Sequence, residues 1–216
     1  MNDQRIEKKF VLGKHEDDSL KKILLINGFT QIFSSREIDS IYLDTENYDF
    51  AKDNINGVSK RKKLRFRWYN NDLNNDYFEE KKKQNFLVEK NVNKISTSLK
   101  KINLVQNLKD YFYNLNKNYN NFNYRFVLKT NYLRSYWISD DKKIRATIDT
   151  NINVSPIFDL SRKISLNETI LEFKFSPFNE NSFRNFFYNR NLNLRSKKFS
   201  KYIQSFNLLE ESGLIN

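Results

Sequence analysis

The chain has 216 residues, 38 Lys and Arg against 26 Asp and Glu, a net charge of +12 and a pI near 9.6. It has no Cys and a single His, which excludes disulfides, thiolate zinc sites, His-rich metal centres and a Ser-His-Asp triad. The N-terminus MNDQRIEKKF lacks an apolar core, and no apolar run reaches the roughly 20 residues of a membrane span, so the expectation is a soluble, cytoplasmic protein with no transmembrane segment.

In chain order, residues 4–13 read as a strand. Asp17 or Asp18 caps a helix with an apolar face of Leu20, Ile23, Leu24 and Asn27, stopped at Gly28. Alternation marks strands at 37–44, 62–69, 76–83 and 86–92. The period then changes: Leu99, Ile102, Val105, Leu108, Phe112 and Leu115 recur at three and four, predicting an amphipathic helix over 97–116. An Asn-rich loop at 116–124 precedes strands at 124–138, 143–150 and 169–175. Two helical stripes end the chain: Phe183, Phe186 and Phe187, then Phe199, Tyr202, Ile203, Phe206 and Leu209. With 38% hydrophobic and 15% aromatic residues but only four Gly and two Pro, this predicts one α+β domain over 1–216, built on a large antiparallel sheet.

The strands share an unusual polarity. Side chains at i and i+2 lie on one face of a strand, so Lys63, Arg65 and Arg67 oppose Leu64, Phe66 and Trp68. The same split puts Arg5, Glu7 and Lys9 together, then Glu79, Lys81 and Lys83, then Arg145, Thr147 and Asp149, then Glu172 and Lys174. These polar faces hold few Ser, Thr, Gln or Asn and are dense in Arg, Lys and Glu. Like charges opposite one another on a sheet repel. A basic face interrupted by Glu is therefore best explained by a bound anion with a cation, and a closed sheet with charge inside and helices outside satisfies both faces.

Eight segments carry a family resemblance: RIEKKF at 5–10, SIYLDT at 40–45, KLRFRWY at 63–69, FEEKK at 78–82, YLRSYW at 132–137, IRATIDT at 144–150, LEFKF at 171–175 and FSKY at 199–202. Their order resembles the catalytic domain of the vacuolar transporter chaperones (VTC), polyphosphate polymerases among the CYTH-like triphosphate tunnel metalloenzymes. The resemblance implies an eight-stranded antiparallel β-tunnel with helices packed outside. It implies ATP and inorganic polyphosphate as substrates and a divalent metal, Mn²⁺ or Mg²⁺, as cofactor. By the same match Arg65, Arg67, Lys81, Arg134 and Arg145 look like catalytic phosphate ligands. Lys9 and Lys90 join them, and Lys83 and Lys174 share their faces. Ser200 and Lys201 look like contacts to the phosphate chain. Glu172 looks like the metal carboxylate, while Glu7 and Glu79 match carboxylates that orient neighbouring bases or the metal.

The chemistry agrees with those roles. Phosphoryl transfer needs positioning and neutralisation of oxygen charge more than covalent help. Arg grips two phosphate oxygens with its planar fork, and a hard cation takes carboxylate and phosphate oxygens. No P-loop motif occurs. Triphosphatase relatives open with Glu-x-Glu-x-Lys; here Arg5-x-Glu7-x-Lys9 favours the polymerase branch. A triphosphatase and a non-catalytic polyanion or nucleic-acid binder are the alternatives. Nucleic acid is not expected, because Glu7, Glu79 and Glu172 would repel its backbone.

Overall fold

The computed structural model describes residues 5–14, 16–85, 87–95, 104–116, 124–188 and 194–215. Strands β1 (Ile6–Gly13), β2 (Phe29–Thr45), β3 (Lys60–Tyr69), β4 (Asp72–Gln84), β5 (Leu87–Lys94), β6 (Tyr124–Ser139), β7 (Ile144–Pro156), β8 (Ile164–Leu166) and β9 (Glu168–Phe175) make one sheet. Helices are α1 (Asp17–Ile26), α2 (Asp49–Ile55), α3 (Leu104–Asn116), α4 (Glu180–Tyr188) and α5 (Lys201–Glu211). The α+β class and the antiparallel sheet are as expected. Closure is not: the hydrogen-bonded order β1-β9-β7-β6-β2-β3-β4-β5 ends at β1 and β5, with β8 paired to β7 off this path, so the sheet is open. The face polarity that suggested a closed sheet needs only one covered face on each strand, and helices supply that cover.

The chain forms two compact units. The first comprises Met1–Glu37, Tyr132–Asn153 and Ser165–Ser200. Its sheet pairs β1 with β9 and β9 with β7, both antiparallel. Phe10, Ile144, Ala146, Ile148, Leu171, Phe173 and Phe175 form the apolar face. Leu20 and Leu24 of α1 and Phe183 and Phe186 of α4 cover it. Phe173 packs edge-on against Phe10 and Phe183, and Phe175 stacks on Phe183 at 4.4 Å. α1 begins at Asp17, so Asp17 and Asp18 lie in its first turn rather than at the cap, where they favour the helix dipole and share Lys21. Gly28 ends the helix at φ +71, and a side chain there would meet the Asp140 carboxylate.

The second unit comprises Ile38–Asn131, Val154–Ile164 and Lys201–Asn216. Here β2, β3, β4 and β5 pair in sequence order. Asn70 and Asn71, both at positive φ, turn β3 into β4, as a two-residue hairpin requires. Ile41, Leu43, Leu64, Phe66 and Trp68 form the apolar face beneath Leu108 and Phe112 of α3, with Phe66 stacked on Phe126. The expected helix over 97–116 is described from Leu104; Leu99 and Ile102 lie outside the described residues. No described helix is long and apolar enough to cross a membrane.

One buried acid strains the second unit. Asp76 is 1% exposed, and neither carboxylate oxygen has a hydrogen-bond partner among the described residues. Burial, aided by the nearby Asp72 charge, pushes its carboxyl up to about 7. A raised carboxyl stabilises the fold while protonated, and that contribution disappears as pH rises from about 4 through 7. Asp76→Asn should therefore unfold at higher denaturant than wild type at pH 8, by an amount on the order of 3 kcal/mol, and match it near pH 4.

Candidate active site

In the second unit the face opposite the core is basic. Cross-strand register aligns Lys63 with Lys81 and Lys81 with Lys90, a row of three lysines over β3, β4 and β5. Arg61 lies opposite Lys83 in the next row. Directly opposed like charges destabilise a sheet. The helix-facing side differs: Lys62 and Lys82 both pair with Glu80, at 2.9 and 3.1 Å. The chain thus pairs opposite charges on one face and sets like charges opposite one another on the other.

Glu79 holds the basic face together. It is 5% exposed, and its Oε2 accepts from Arg65 Nε at 2.7 Å, with Arg67 Nη1 at 3.9 Å. Its Oε1 accepts from Lys90 Nζ at 3.0 Å. Burial pushes the Glu79 carboxyl up, but Arg65, Arg67 and Lys90 outweigh it and hold the group at about 2. Arg67 Nε also donates to Ser40 Oγ, and Arg65 Nη1 to Tyr42 Oη. Three cations share Glu79, and two of them stay partly exposed, Arg65 at 23% and Lys90 at 47%. Glu79 thus holds Arg65, Arg67 and Lys90 around one carboxylate. A carboxyl depressed in the fold stabilises it above the unfolded value, and that stability is lost as pH falls from about 5 towards 2. Glu79→Gln should lower stability at pH 7 by about 2–3 kcal/mol and flatten that acid limb in urea titrations.

In the first unit the corresponding face carries Glu7 and Lys9 on β1, Glu172 and Lys174 on β9, and Arg145 and Thr147 on β7. Glu172 lies opposite both Lys9 and Thr147. Lys174 lies opposite Glu7 and Arg145. Lys174 Nζ sits 3.0 Å from Glu172 Oε1 and 3.5 Å from Glu7 Oε1, one ammonium between two carboxylates. Glu172 is buried, Glu7 and Arg145 are exposed, and Thr147 Oγ1 is buried without a hydrogen-bond partner among the described residues. Lys9 Nζ donates to the Phe199 carbonyl at 3.1 Å, beside Ser200. The segment before Ser200 is also held on β1 by the Phe10–Ser196 bridge and the bond from Lys197 N to Lys9 O.

Arg134 has a partner that sequence reading did not assign. Its Nε and Nη2 donate to the two oxygens of Asp149 at 2.5 and 2.7 Å, and its guanidinium lies 5.4 Å from the Tyr132 ring. Asp149 is fully buried. Burial alone would lower the Arg134 value, but Asp149 more than offsets it and keeps the guanidinium charged. The alternation in IRATIDT had placed Asp149 on the charged face; which base it served was not readable. Likewise Tyr42 and Tyr202, which with Asp44 buttress the Arg65 region, look in sequence like ordinary packing residues. Lys201 opens α5, next to Tyr202.

The fold is shared with solved structures. A Vibrio parahaemolyticus protein described as an adenylate cyclase candidate superposes with a TM-score of 0.57 at 13% identity, covering 95% of this chain and 99% of that one. A Bacillus halodurans protein of the same description gives 0.58 at 14%, covering 95% and 99%. A Hippeastrum adenylyl cyclase candidate, reported to have a dominant triphosphatase activity, gives 0.52 at 14%, covering 98% and 97%. No curated protein matches the sequence. The VTC domain model matches residues 4–210, nearly the whole chain and all the strands that carry the charged faces, and the chain therefore belongs to the VTC domain family.

Proposed function

We propose that the protein is a triphosphate-processing enzyme of the tunnel fold, and specifically a metal-dependent polyphosphate polymerase that transfers the γ-phosphoryl group of ATP to an inorganic polyphosphate chain. The observation that carries this reading is the cluster of Arg65, Arg67 and Lys90 on a single buried acid, beside a row of opposed lysines. Glu79 fixes these cations beside one another, a density of positive charge that suits a polyanion. Arg65 and Arg67 supply forks for non-bridging oxygens, while Lys81, Lys83 and Lys90 act as point charges along a chain of phosphates. Lys9, Arg145, Lys174, Ser200 and Lys201 take the remaining phosphate contacts in this proposal, with cytoplasmic ATP as donor.

Among the described residues no group of three or more His, Asp or Glu could enclose a metal. Glu172 and Glu7 nevertheless fit a hard divalent cation, because both already face one cationic centre and Thr147 keeps an unsatisfied oxygen beside Glu172. Mn²⁺ or Mg²⁺ held there, with substrate oxygens as further ligands, would neutralise charge on the transferred phosphoryl group. Incubating the protein with ATP and Mn²⁺ separates the readings. ADP with long phosphate chains supports the polymerase. Free phosphate alone makes it a triphosphatase, as the Hippeastrum neighbour is described. Tripolyphosphate should raise the melting temperature by mass action; no shift and no turnover together would overturn the proposal.

A further inference from the structure

Asp44 is fully buried and accepts four hydrogen bonds. Three come from backbone N–H groups of Thr45, Phe50 and Ala51, at 2.7–3.0 Å. The fourth comes from the Tyr202 hydroxyl at 2.5 Å. Burial and the Asp44 charge push the Tyr202 phenol up, so it remains a donor at all ordinary pH. The Tyr202 ring in turn stacks on Tyr42, with centroids 5.0 Å apart and planes at 23°. Tyr42 is the cross-strand neighbour of Arg65, and its hydroxyl accepts from Arg65 Nη1 at 3.4 Å. That bond is long, so whether it forms depends on where the stack holds the Tyr42 ring.

We propose that Tyr202, fixed by Asp44, is a positioning residue that sets the Arg65 guanidinium for phosphate through the Tyr42 ring. The assignment rests on the proposed phosphate-binding role of Arg65. Glu79 grips Arg65 through Nε and Nη2, and Tyr42 meets the Nη1 end. A fork works only when both its ends are held in plane. Tyr202 serves because its hydroxyl is tied to a carboxylate that cannot move: Asp44 is locked to the backbone that starts α2. A tyrosine held only by packing would slide along its neighbour.

Tripolyphosphate titrated calorimetrically into wild type, Y202F, R65K and the double variant tests this. Y202F keeps the stack and loses the anchor, and is expected to weaken binding about five- to tenfold. In the R65K background the same change should cost less than twofold, because the fork being positioned is gone. A purely structural role predicts a lower melting temperature with unchanged affinity, or an equal loss in both backgrounds; either result overturns the assignment. Should Y202F fail to fold by circular dichroism, Y42F removes the Arg65 contact without touching Asp44 and must show the same coupling. Wild type that does not bind tripolyphosphate sinks the proposed function as well. Wild type that binds while both variants bind equally well sinks only the positioning role.

Discussion

Arg134→Met should destabilise the protein by about 3–5 kcal/mol, because it leaves the Asp149 carboxylate buried with its bidentate partner removed. For a chain of this length that is a fall in melting temperature of roughly 10 °C. Adding Asp149→Leu should recover most of the loss, since replacing both members of a buried pair by apolar side chains is often neutral. The pair of variants also separates two roles for Arg134. If the arginine only braces the first unit, the double variant regains phosphate affinity along with its stability. If it also grips substrate, the double variant folds and still binds tripolyphosphate poorly. Urea melts give the first quantity and calorimetric titration the second. A single Arg134→Met variant as stable as wild type would contradict the ion pair itself.

Glu172→Gln should reduce turnover of ATP with Mn²⁺ by about 10²–10³-fold, the loss expected when one preorganised charge acting on the transition state is removed. The substitution keeps shape and hydrogen-bonding capacity, and Lys174 retains Glu7, so folding should change by less than about 1 kcal/mol. Raising Mn²⁺ should partly restore the rate if the lost carboxylate held the cation. Full activity at ordinary Mn²⁺ would remove Glu172 from the site.

The two-residue period of strands made the charged faces legible: Lys63, Arg65 and Arg67 share a side in any register, as do Glu172 and Lys174. The segments on β1, β3, β4, β7 and β9 needed no further information. β2 was read too short, because Thr30–Ser35 is exposed and lacks the half-apolar alternation that marks a covered strand. α2 was not seen; seven residues hold fewer than two turns, and its start depends on the distant-looking Asp44 side chain accepting from Phe50 and Ala51. Pairing was the harder matter. That Glu79 meets Arg65 follows from an Asn-Asn turn and a register shift between Arg67 and Tyr69, neither of which a face pattern encodes. Arg134 and Asp149 sit on different strands, so their union depended on registers that alternation leaves open. Closure failed for a related reason: polarity on each strand says which side is covered but not whether the first and last strands meet.

The ammonium of Lys174, lodged between Glu7 and Glu172, has a practical corollary. Those acids have a resident counter-ion from the moment the chain folds, unlike the ligands of a zinc finger, whose architecture collapses in chelator. Prolonged dialysis against EDTA should therefore abolish turnover yet leave the melting curve where it was. The protein could then be purified bare, stored, and switched on by adding a divalent salt together with nucleotide.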